Sequence, residues 1–131
     1  MPSYWHDHIH LTTPDALKTA EFYETMFNAR RVTTRESADG RTTSVQLDLG
    51  GSRVLVAERI AEPEQAQSPS GTVHGLEHFG LGTDNLEAAV AELKAKGVKF
   101  RDEIRVAPTG AKICFLWAPE NVLIELVERS S

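Results

Sequence analysis

Two stretches of the chain alternate polar and apolar residues as half-buried strands do: Asp7-His8-Ile9-His10-Leu11-Thr12-Thr13 and Glu77-His78-Phe79-Gly80-Leu81-Gly82-Thr83. Each leads into apolar positions at helical spacing. The first set is Ala16, Ala20, Tyr23 and Phe27, widened by Phe22 and Met26. The second is Leu86, Ala89, Val90 and Leu93, ending at Gly97 as the expected C-cap. Thr13-Pro14-Asp15 reads as a capping hydroxyl followed by proline at the first helical position. Asp84, with Glu87 three residues on, has the form of a capping box.

Strand-like segments broken by turn residues follow each helix. The first set is 31–36, a turn at Asp39-Gly40, 42–49, a turn at Gly50-Gly51, and 53–58. The second is 99–105, a turn at Pro108-Thr109-Gly110, 112–117, a turn over 118–121, and 122–128. The pattern is β-α-β-β-β, written twice. His8 and His78 lie 70 residues apart, and so do the closing strands Val54–Arg59 and Ile124–Arg129. The helices align at 69, a difference that a loop absorbs. We therefore expect an α+β fold: a single domain over 1–131 made of two βαβββ modules, 4–60 and 74–129. The Pro-, Ser-, Glu- and Gln-rich segment 61–73 serves as linker. Two such modules can place their sheets side by side as one curved mixed sheet around a cleft.

Composition narrows the partners rather than the fold. At 131 residues, 40% hydrophobic, 25% charged and 7% aromatic, the chain suits a globular domain with a real core. A net charge of -5, without a basic block, argues against nucleic acid or an anionic membrane as partner. No apolar run approaches the length of a membrane span, and the first residues have neither the basic nor the apolar segment of a signal peptide. The single cysteine, Cys114, excludes an internal disulfide and fits a reducing cytoplasm. Its apolar neighbours Ile113, Phe115 and Leu116 make it a buried, inert thiol.

The chemistry is concentrated at the repeated positions. Glu125 interrupts Val122-Leu123-Ile124-Glu125-Leu126-Val127, a run apolar on both faces, where an ionised carboxylate needs a metal or a hydrogen-bonding partner. The bland alternative is a glutamate on an edge strand facing water. All five histidines, His6, His8, His10, His74 and His78, stand at the starts of the two modules. Period-two geometry puts His6, His8 and His10 on one strand face. His6 and His74 read as ordinary surface residues. His8 and His78 are equivalent by the repeat, and with Glu125 they compose a three-ligand metal set with open positions. The repeat also defines a fourth place, which is Leu55 and cannot bind a metal.

These features resemble the vicinal-oxygen-chelate superfamily, the glyoxalase/fosfomycin-resistance/extradiol-dioxygenase group. The resemblance runs through 7–11 and 21–23, then 76–79 with 84–89, and finally 119–126. It implies paired βαβββ modules, one divalent metal in the cleft on His8, His78 and Glu125, and frequently a homodimer. Glyoxalase I and methylmalonyl-CoA epimerase usually carry Glu or Gln at the fourth place, from which Leu55 departs. The potassium and phosphonate loop of fosfomycin-resistance transferases has no match in 106–112. Extradiol dioxygenases use two His and one Glu on Fe(II), and His10 could serve as the acid or base that they take from a further histidine.

The leading expectation is thus a small Fe(II) extradiol-type oxygenase, with Fe(II) or Mn(II) favoured over Zn(II), Ni(II) or Co(II). A glyoxalase- or epimerase-like lyase or isomerase is the first alternative. A protein that sequesters a small molecule, as bleomycin-resistance members do, is the second.

Overall fold

The first alternating run forms β1 (His8–Thr13), and the helical stripe after it forms α1 (Ala16–Phe27). Three antiparallel-linked strands complete the unit: β2 (Arg30–Glu36), β3 (Thr43–Leu49) and β4 (Ser52–Glu58). Their sheet has the order β1-β4-β3-β2, with β1 parallel to β4. This computed structural model describes residues 1–59, 67–68 and 74–129. It divides into two compact units, Met1–Gln65 and Ala66–Ser131. Most of the expected linker 61–73 lies outside the described residues.

The second unit repeats the plan: β5 (Phe79–Gly82), α2 (Leu86–Ala95), β6 (Lys99–Phe100), β7 (Arg105–Val106), β8 (Lys112–Ala118) and β9 (Val122–Glu128). The order is β5-β9-β8-β6, β7 also pairs with β8, and β5 runs parallel to β9.

In the first unit one face of β3 and β4 buries Val45, Leu47, Val54 and Val56 beneath Ala16, Ala20 and Tyr23 of α1. In the second, Leu116 and Ile124 face each other across the ladder and are fully buried, as is Leu86 of α2. Alternation in the strands and the 3.6-residue period in the helices produce these cores.

Three expectations are corrected. The N-caps are Asp15 and Asn85, not Thr13 and Asp84; their side chains accept from the amides of Lys18 and Ala88, both at 3.0 Å. Pro14 therefore precedes the cap, and Glu87 turns away from a capping box to meet Lys112 Nζ at 3.2 Å. The helices consequently align at 70, not 69: Ala16, Ala20 and Tyr23 match Leu86, Val90 and Leu93, all buried. Finally, 99–105 is not one strand. Asp102 Oδ1 takes the Phe115 amide at 2.8 Å, a place that a backbone carbonyl would fill in a continuous ladder.

A further pair of carboxylates binds strand to helix in both units. Glu58 accepts from the Ala16 amide at 2.8 Å and from the Thr43 amide at 2.9 Å. Glu128, its equivalent, accepts from the Leu86 amide at 2.8 Å. Each puts negative charge at the positive end of a helix.

Candidate metal centre

β9 lies between β5 and β8, so Glu125 is on an interior strand and the edge-strand reading fails. Its side chain is on the sheet face away from Leu116 and Ile124, directly across from Phe115. That face carries a buried apolar cluster that includes Ile113, Phe115, Leu123 and Val127. A carboxylate set among them, 21% exposed, needs a counter-charge or a donor. His78 stands beside it, with Nε2 3.3 Å from Glu125 Oε1.

The imidazole is held from two further directions. Its Nδ1 faces Glu77 Oε1 at 3.1 Å, and its ring meets the edge of Phe115 at 5.0 Å and 89°. The Arg101 guanidinium covers the Phe115 ring at 4.2 Å. An Nδ1–H donated to Glu77 would turn the Nε2 lone pair toward Glu125, where a cation between the two would satisfy both. On β5, Gly80 is the register partner of Glu125, and a Cβ there would come within 3.7 Å of Glu125 Oε1. A cavity of about 730 Å³ opens beside it, lined by Gly80, Gly82, Glu125, Val127 and Arg129 among others.

His8 repeats this arrangement in the first unit. Its Nδ1 is 2.7 Å from Asp7 Oδ2, and Asp7 also accepts from Arg53 Nη1 at 3.1 Å. The His8 hydrogen bond, followed by the charge of Arg53, holds the Asp7 carboxyl below the usual carboxylate range. Nothing in the notion of a three-ligand set required Asp7 or Glu77. The signal for them is the acid–histidine pair recurring at both modules' starts.

His10 lies in register with Leu55, and Leu55 with Gln46, on the face of the first sheet away from α1. Leu55 is only partly buried, so it is a lining residue of that face and not part of the core. His6 and His74 are exposed. Cys114 is fully buried, and burial pushes its thiol up to about 11, as befits an inert group.

Among the described residues no three His, Cys, Asp or Glu side chains gather as a metal cluster. The second unit offers the pair His78–Glu125, and the first presents His8. The pair fits a cation. Two donor atoms roughly 2.0–2.2 Å from one ion, at tetrahedral or octahedral angles, stand about 3.0–3.5 Å apart, and the observed separation is 3.3 Å.

The model of the Glyoxalase/Bleomycin resistance protein/Dioxygenase superfamily matches residues 5–126. The chain belongs to this superfamily. Among curated superfamily relatives, it is 25% identical over 125 residues to mitochondrial methylmalonyl-CoA epimerase of Homo sapiens, covering 92% of this chain and 71% of the relative. Among solved structures, a glyoxalase family protein from Enterococcus faecalis shares the fold with a TM-score of 0.78 at 20% identity, covering 95% and 97% of the two chains. The genomically encoded fosfomycin resistance protein FosX from Listeria monocytogenes, complexed with Mn(II) and sulfate, gives a TM-score of 0.71 at 20% identity, covering 99% and 95%. The fold expectation of an α+β protein of superfamily type is thereby met. No helix among the described residues is long and apolar enough to cross a membrane.

Proposed function

We propose that this chain is a divalent-metal-dependent enzyme whose ion is held by His8, His78 and Glu125, and that it acts on a small substrate through two neighbouring oxygens. The observation that carries the reading is the His78–Glu125 pair, its two donor atoms at cation-sharing distance within an otherwise apolar face. Both histidines have a carboxylate behind Nδ1, the arrangement that fixes a ligand imidazole and raises its basicity. The Mn(II) complex of FosX lends support from a protein of the same fold. A bound divalent ion would supply Lewis acidity toward the substrate oxygens.

The residues of this chain would do the rest. His78 and Glu125 orient the substrate, while Phe115, Leu123 and Val127 keep water from that side. Leu55 removes a fourth carboxylate, which leaves His10 as the acid or base of the first unit's open face. That economy favours an extradiol-type oxygenase on Fe(II) or Mn(II), since open positions beside two His and one carboxylate suit dioxygen and substrate together. The second reading is an isomerase or lyase that moves a proton next to a carbonyl with Zn(II), Ni(II) or Co(II), and the epimerase relative favours it. Assembly as a homodimer belongs to the same proposal, with light scattering as its check.

The test is to load metal-free protein with each ion in turn. Catechols, hemithioacetals and acyl-CoA thioesters are then offered with and without air. Oxygen uptake with a catechol, confined to Fe(II) or Mn(II) and lost in His10→Ala, is the expected result. Anaerobic turnover of a hemithioacetal or thioester selects the isomerase or lyase. Protein purified without chelators that carries no metal, and binds none when offered, sinks both.

A further inference from the structure

The open face of the first unit has a chemistry that the metal ligands do not explain. Register places Thr33, Gln46, Leu55 and His10 in one row across all four strands. The next row is Arg35, Ser44, Ala57 and Thr12. A cavity of about 370 Å³ lies over these rows, lined by His10, Thr33, Arg35, Ser44 and Gln46 together with Leu55, Ala57 and Val45. Every polar side chain in that lining can donate a hydrogen bond, one of them is a permanent cation, and none is a carboxylate. In a chain of net charge -5 this is a selected environment. Asp48, further along β3, is occupied elsewhere: it accepts from Arg30 Nη2 at 3.1 Å and from the Gly51 amide at 2.8 Å.

We infer that this cavity binds the oxyanion end of a small ligand, a carboxylate or phosphate group. Arg35 would take it in a forked, charge-assisted pair, with Ser44, Thr33 and Gln46 as neutral donors around it. Arg35 and Ser44 are direct cross-strand partners and Gln46 is on the same strand face as Ser44, so these donors stand side by side along one cavity on the open face of the sheet. Leu55 and Ala57 give the ligand's carbon part an apolar floor. The identification of this ligand as the substrate rests on the function proposed above, which it narrows to a substrate with an anionic group besides its chelating oxygens. Binding of the anion itself does not depend on the metal.

The experiment follows backbone amide shifts of the metal-free, ¹⁵N-labelled full chain during titration with malonate, inorganic phosphate and uncharged malonamide. Saturable shifts at Thr33, Arg35, Ser44 and Gln46 are expected at millimolar malonate or phosphate, and none with malonamide. The anion that saturates first tells carboxylate from phosphate. Arg35→Met should weaken binding at least tenfold, with Arg35→Lys recovering part of it and Arg41→Met, on a turn outside the cavity, changing nothing. His78→Ala should leave the anion shifts intact, which separates this inference from the metal reading. Shifts that map elsewhere, that appear equally with malonamide, or that survive Arg35→Met would overturn it.

Discussion

The two units share what is buried and differ in what is open. Each has a parallel strand leading to a helix, a cap of the same kind (Asp15 and Asn85), and a glutamate from the last strand on the helix's first amide (Glu58 and Glu128). Each also has an acid beside the histidine that opens its first strand run, Asp7 at His8 and Glu77 at His78. On the open faces the equivalents part company. His10 and Thr12 become Gly80 and Gly82, and Leu55 becomes Glu125. The first unit thus sets an apolar residue in a polar face, and the second an acid in an apolar face. A duplicated scaffold constrains the packed side, because a change there costs core stability in whichever copy it occurs. The open side is free to diverge, toward hydrogen-bond donors in the first unit and toward an acid in the second.

The sharpest way to break this division is to remove the ligands. His78→Ala and Glu125→Ala should each weaken Mn(II) or Zn(II) binding by well over a hundredfold by calorimetry, and His8→Ala likewise, as loss of one member leaves an incomplete set. Glu77→Gln and Asp7→Asn should cost less, roughly 10–100-fold, since they alter only the partner of Nδ1. Full occupancy in His78→Ala would remove the ligand-bearing role from the second unit.

The shared side can be tested through the paired glutamates. Glu58 accepts two backbone amides from separate elements, and Glu128 one. With a charged acceptor worth about 1.5–3 kcal/mol, Glu58→Ala should cost roughly 2–3 kcal/mol of unfolding free energy and Glu128→Ala less, as read from denaturant midpoints. Glu58 lies in the opposite phase of β4 from Leu55 and ties α1 and β3 to β4. Equal losses from the two variants would mean that the hydrogen-bond count does not set their ranking.

Much of this was legible in the chain because burial writes period-two and period-3.6 patterns directly. The strand positions, the repeat and Glu125 as an unusual residue in an apolar strand all follow from that writing. The N-caps differ from expectation because Thr13 and Asp15, or Asp84 and Asn85, are equally able acceptors, and Pro14 points to a start two residues too early. The break in 99–105 was hidden because Asp102 acts through its side chain on Phe115, thirteen residues away, and such a contact leaves no periodic trace. The lining of the first unit's cavity was hidden for the same reason: four strands contribute to it, and only their register brings Arg35, Gln46 and His10 together.

A smaller effect sharpens the contrast at its most divergent position. Leu55 lies on an open face and is partly buried, so Leu55→Ala should cost about 1 kcal/mol, below the roughly 2–5 kcal/mol of a fully buried leucine. Leu55→Glu should fold, because its surroundings are Gln46, His10 and Ala57. On the proposed ligand arrangement it should also tighten metal binding, while reducing any reaction that needs two open positions. Unfolding of Leu55→Glu with metal present would mean that this face is packed like the core.

The least effect is expected from the buried thiol, and it tests whether the second unit's core is as closed as its helix face implies. Cys114 has no exposed surface, and burial raises its pKa to about 11 from an ordinary 9.0. The folded state therefore favours the neutral thiol more than the unfolded state does. The sign follows: this contribution to stability is fully present below pH 9 and is lost as pH rises from 9 toward 11. At pH 8 the native thiol should resist iodoacetamide and react only through unfolding, so labelling by mass spectrometry should track the unfolded fraction. Cys114→Ala should flatten the loss of stability between pH 9 and 11 relative to the parent chain, although its midpoint is lower throughout from the small cavity. Rapid alkylation of folded protein at pH 8 would show that the second unit's core around β8 opens locally, and that its packed side is not closed.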